Sequence, residues 1–141
     1  MALDLLAVQD DITAKLRELP QDVYESAVPD DSRLRFDANG MILPYIVIEY
    51  SDMYEMPTAN GILSTRFDTK MSYIIVSCIG PTERSARQVA NMVRDKLTGY
   101  VPVDAGEMKL SGGGISYTKS ETKLNRYMNE LAFTFPVNIV W

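Results

Sequence analysis

Tyr127-Met128-Asn129-Glu130-Leu131-Ala132-Phe133-Thr134-Phe135-Pro136-Val137-Asn138-Ile139-Val140-Trp141 closes the chain and decides how the rest is read. Tyr127, Leu131, Phe133, Phe135, Val137, Ile139 and Trp141 share one parity, while Glu130, Thr134 and Asn138 fall on the other. Apolar residues at period two make one face of a strand that packs on a core. Pro136 has no N–H for a ladder, so its place predicts an edge strand or a bulge.

Working back along the chain, Arg66–Ile79 reads as a second long strand. Phe67, Thr69, Met71, Tyr73, Ile75, Ser77 and Ile79 share one parity, and Lys70, Ser72, Ile74, Val76 and Cys78 share the other. The first half alternates and the second is apolar on both sides, as for a strand running from an exposed arm into a core. Leu43-Pro44-Tyr45-Ile46-Val47-Ile48-Glu49-Tyr50 is a third strand, buried on both faces for part of its length, with Pro44 at its start. Val23–Ser26 is a short strand candidate, and so is Ile115–Lys119. Ser111-Gly112-Gly113-Gly114 reads as a polar turn, without the Gly-Lys-Ser/Thr ending of a phosphate loop.

Two helices complete the pattern. Leu5, Val8, Ile12, Leu16 and Leu19 recur at three and four residues, with Asp4, Asp10 and Asp11 toward the start and Pro20 as a stop. Gly80-Pro81-Thr82-Glu83 opens the second helix, in which Ala86, Val89, Ala90, Val93 and Leu97 form one face. Gly99 ends it, and Arg84, Arg87, Arg94 and Lys96 occupy the other faces. Helices and antiparallel strands in blocks predict an α+β fold: a mostly antiparallel sheet of about four to five strands with two helices packed on one face. The 141 residues fit one domain, 1–141, with a long loop or arm around 51–64. Met53, Tyr54, Met56, Ile62 and Leu63 in that loop either fold back on the domain or meet another chain.

Composition excludes several kinds of chemistry. The chain has no histidine and one cysteine, Cys78, which removes His-based catalytic dyads, His-ligated zinc and any internal disulfide. Carboxylate pairs occur at Asp10-Asp11, Asp30-Asp31 and Glu49 with Asp52, but no Asp-x-Asp-x-Asp-Gly loop accompanies them. No catalytic, cofactor-binding or metal-binding residue is therefore assigned. The longest apolar runs, Ile42–Ile48 and Tyr73–Ile79, are too short to cross a bilayer, and the start of the chain lacks a secretory pattern.

The net charge of −5 lacks the basic footprint of a nucleic-acid binder. Its distribution is uneven: residues 1–60 carry a net −8 and residues 61–141 a net +3. Either the solvated surface is simply uneven, or unlike faces of the subunit meet head to tail in a ring or stack.

The layout resembles the tail terminator (tail completion) proteins of long-tailed, siphovirus-type bacteriophages. The resemblance is carried by the amphipathic helix at Asp4–Leu19, Val23-Tyr24 followed by Pro29, the Leu43–Ile48 strand, the strand–Gly–Pro–helix passage from Ser72 to Thr98, and the alternating close at Tyr127–Trp141. It implies a structural virion protein, not an enzyme, without cofactor or metal. It implies a homohexameric ring on the head-proximal end of the tail tube, assembled in the host cytoplasm. The ring stops tube polymerisation and offers a docking surface to a head completion or connector protein. DNA passes through its lumen without specific binding, and no membrane is involved. On this reading Met53, Tyr54, Met56, Ile62 and Leu63 are candidate subunit or tail-tube contacts, and Arg84, Arg87 and Arg94 a candidate basic face at the ring interface. Two alternatives stand beside it: another phage neck, connector or tail tube subunit, and a small carboxylate-dependent hydrolase built on Asp30, Asp31, Glu49 and Asp52.

Overall fold

A computed structural model describes residues 5–25, 34–50, 54–55, 67–103, 105–119 and 126–140. The elements follow in the order α1 (Leu5–Leu16), β1 (Asp22–Glu25), β2 (Tyr45–Tyr50), β3 (Tyr54–Glu55), β4 (Phe67–Gly80), α2 (Glu83–Leu97), β5 (Lys109–Lys119) and β6 (Arg126–Val140). The strands form one sheet in the order β1-β2-β4-β6-β5, with β3 pairing on β4. All pairings are antiparallel except β1 with β2. The fold is α+β, with both helices on one face.

The period-two pattern of the closing segment sets the layers. β6 pairs with β4 without interruption from Phe67↔Val140 to Gly80↔Tyr127. That register puts Leu131, Phe133, Phe135 and Val137 on the same side as Ile74, Val76 and Cys78. Ile46 and Ile48 of β2 join them, and Val8, Ile12 and Leu16 of α1 with Val89, Ala90, Val93 and Leu97 of α2 cover the whole set. Each of these large side chains contributes roughly 1.5–3 kcal/mol by leaving water. On the other face a smaller cluster of Leu34, Ile42, Tyr45, Val47 and Ile79 covers one end of the sheet. Tyr24 meets Tyr45 edge-on there, with ring centroids 5.8 Å apart. This explains why β2 is apolar on both sides.

Helix ends follow local chemistry. Thr82 caps α2: its hydroxyl accepts the Ser85 N–H, and the Ser85 hydroxyl accepts the Thr82 N–H. Gly99, with φ +82°, turns the chain out after the helix, where a residue with a Cβ is disfavoured. α1 departs from expectation. Asp10 and Asp11 stand in its middle, and its first turn holds no acid. α1 is instead fastened from outside: Tyr50 hydrogen-bonds Thr13 Oγ1 and donates to the Gln9 carbonyl at 3.0 Å.

Three further readings are corrected. Ser111-Gly112-Gly113-Gly114 is no turn but part of β5, where register shifts between Leu110 and Gly112 and between Gly113 and Ile115 take up the glycines as bulges. β6 is an internal strand, and Pro136 lies where the β5 ladder has already ended at Lys109↔Thr134. The run 51–64 contains β3, whose Tyr54 stands opposite Met71 and Glu55 opposite Lys70.

Candidate interaction surfaces

Helix geometry decides what α2 presents. Five residues, Ala86, Val89, Ala90, Val93 and Leu97, are buried against the sheet. Met92 and Lys96 face α1 and the turn after it, because Gln21 Nε2 donates to the Met92 sulfur at 3.4 Å and Lys96 Nζ lies 3.5 Å from Glu18. Arg94 is two residues before Lys96 and so lies about 160° round the helix from it. Arg87, two turns earlier, falls on nearly the same line. Arg84 and Arg87 are exposed and have no ion-pair partner among the described residues. Arg94 is half-buried and donates to Asn91 Oδ1 at 3.0 Å. It also supplies positive charge in the last turn of the helix. The structure thus brings Arg87 and Arg94 onto one flank, turned away from α1, with Arg84 on the outer surface.

Of the loop candidates, Tyr54 belongs to β3, while Met53, Met56, Ile62 and Leu63 lie outside the described residues. Among the hydrolase candidates, Glu49 is exposed on β2, and Asp30, Asp31 and Asp52 lie outside the described residues. Among the described residues no three Cys, Asp or Glu side chains gather as a metal site. No described helix is long and apolar enough to cross a membrane.

Other surface features have no marker in the linear pattern. Phe36 and Met41 are exposed at a tight reversal, where Phe36 stands opposite Ile42 and Asp37 Oδ1 accepts the N–H groups of Asn39 and Met41. Val101 and Val103 are exposed on the connector after α2, at 58% and 49%. That connector is held firmly. Asp11 Oδ2 accepts from both the Tyr100 hydroxyl and the Val103 N–H at 2.8 Å. Gly99 donates to Met108 and Met108 to Tyr100 across it. Desolvation, then the Asp11 hydrogen bond, pushes the Tyr100 phenol up to about 12. Leu6 is 70% exposed on α1, and Tyr73 is 41% exposed on the sheet face opposite the helices. Exposed apolar side chains on a rigid frame suit contact with another molecule. An open groove of about 570 Å³ beside the end of α1 is lined by Arg17, Gln21, Asp22, Tyr24 and Arg35. Its Arg35 is already paired to Asp22 at 2.7 Å.

The class defined so far is a single-sheet α+β domain with helices on one face and contact chemistry spread over its surface. No family model matches the sequence, and no curated protein matches it. Among solved structures, the fold is similar to that of a chain in the virion of a native gene transfer agent (GTA) particle. That chain is 15% identical, with a TM-score of 0.62 over 96% of this chain and 97% of that one. At this identity the likeness is one of fold.

Proposed function

We propose that this chain is a structural protein of a phage-like virion and, within that class, the tail terminator. Six copies close into a ring on the head-proximal end of the tail tube, stop its growth, and offer a surface to the head completion or connector protein. The observation that carries the reading is the end-to-end fold similarity to a virion chain, 96% of this chain against 97% of that one. The strand–Gly–Pro–helix passage and the alternating close, on which the resemblance to tail terminators rests, fall on β4–α2 and β6. A role in contact rather than catalysis accords with exposed Phe36, Met41, Val101 and Val103. The net charge of −5 suits a lumen through which DNA slides, because like charge repels phosphate.

The test combines mass in solution with negative-stain images, alone and with polymerising tail tube protein. A closed ring of fixed size that caps tubes and halts their growth is the expected result. Open-ended polymers of this chain would instead identify a tube subunit. A protein that neither closes into a ring nor binds tubes would overturn the terminator reading.

A further inference from the structure

The two flanks of the helical layer carry unlike charge. α1 rests over β2 through Tyr50, and β1 lies beyond β2 at the sheet edge. Glu25 shares its register position with Ile48, which places it on the helix side of that edge, next to α1. Asp10 is exposed on α1 nearby, and neither carboxylate has a partner among the described residues. Burial, then Glu25 and Asp10, raises the Tyr50 phenol, with Arg17 opposing, so all three charges converge on one corner. At the far flank α2 covers β4, β6 and β5, and Arg87 and Arg94 line its side away from α1, with Arg84 outward. Glu83 is the one acid of that first turn.

We propose that a second copy of this chain bridges the two flanks: the Arg84–Arg87–Arg94 flank of one copy docks on the Asp10–Glu25 corner of the next. The inference rests on the ring reading above and supplies the contact that builds it. Two different patches meeting head to tail form a heterologous contact, which leaves one of each free and repeats until the rotation closes. The acidic corner argues against a polyanion as partner, since a nucleic acid on the arginines would be repelled by it and by the net charge of −5. Exposed ion pairs contribute little each and are screened by salt, so the contact is specific in register and sensitive to ionic strength.

The experiment is sedimentation velocity on the full chain at low and high salt, with charge-reversed variants. Arg84→Glu/Arg87→Glu and Asp10→Lys/Glu25→Lys are each expected to weaken self-association about tenfold or more while melting like the native chain. Mixing the two variants is expected to restore association in alternating order, because each variant's flank then meets a corner of opposite charge on the other. Combining all four reversals in one chain is expected to restore association. Where a variant melts lower, the milder Arg87→Gln and Glu25→Gln pair replaces it and is read the same way. Rings that survive both reversals overturn this contact and leave the ring reading standing. A native chain that stays monomeric to about 1 mM overturns this self-association contact, and one that forms open polymers overturns the ring reading with it.

Discussion

Gly106 donates its backbone N–H to the Pro136 carbonyl at 2.8 Å, and the Pro136 ring fills the space that a Cβ on Gly106 would need. A Cβ built there would stand 2.3 Å from Pro136 Cγ. The contact explains how an internal strand accommodates a proline. N–H and C=O of one strand residue point the same way, and Pro136 points both toward the connector before β5, where no ladder partner is required of its nitrogen. Gly106→Ala is therefore expected to cost about 1–3 kcal/mol by overpacking, read as a lower denaturant midpoint. Gly106→Ala/Pro136→Ala should recover part of the loss, since the two sites share one contact.

How far the sequence carries is plain from that strand. Its parity names the core face correctly, because one-sided burial writes itself at period two in Leu131, Phe133 and Phe135. The neighbours of β6 are not written there, and Pro136 misleads because a ladder ends by tertiary placement. The glycines 112–114 mislead in the opposite sense: turn composition is absorbed in β5 as bulges, since β6 offers a ready template. The parallel pairing of β1 with β2 is invisible because four residues carry no direction signal. Of the candidate sites, the arginines of α2 are legible from helical spacing. The Asp10–Glu25 corner is not, since fifteen residues and a change of element separate its members.

Asp11 joins α1 to the connector that follows α2 through two hydrogen bonds on one oxygen. Asp11→Ala leaves the Val103 N–H and the Tyr100 hydroxyl to water and is expected to cost about 1–3 kcal/mol. Amide exchange at Val103 should rise with it. Unchanged exchange would show that the connector is held without Asp11.

The Tyr100 phenol titrates near 12 in the folded chain against 10 for the free side chain. Its neutral form is thus favoured by folding. That stabilisation is whole below pH 10 and is lost as pH rises toward 12. Thermal melts between pH 9 and 12 should show the native chain losing stability in that window. Tyr100→Phe should lower stability below pH 10 and flatten the alkaline loss, and an unchanged slope would assign the loss to other groups.

Cys78 is fully buried between α2 and the sheet, and desolvation pushes its thiol up to about 12, opposed by Arg94. The thiolate is the reactive form, so at pH 8 the folded chain should resist an aromatic disulfide reagent. Labelling should occur at the rate of opening and accelerate with denaturant in step with unfolding. Stoichiometric labelling of the native chain within seconds would contradict its packing.

The loop candidates separate folding from assembly. β2 pairs with β4 from Tyr45↔Ile79 to Tyr50↔Ile74, and β3 resumes at Tyr54↔Met71, so none of these ladder pairs involves Met56, Ile62 or Leu63. Replacing Met56, Ile62 and Leu63 by Ser changes apolar residues that follow β3 in sequence, and Met53 and Tyr54 can be changed separately. If the arm meets the tail tube or a neighbouring subunit, the triple variant keeps its melting temperature but loses tube capture or ring closure about tenfold or more, since apolar anchors dominate such contacts. If the same residues fold back on the domain, melting falls while capture per folded molecule is unchanged. The two readings of the loop therefore predict opposite pairs of results from one set of proteins.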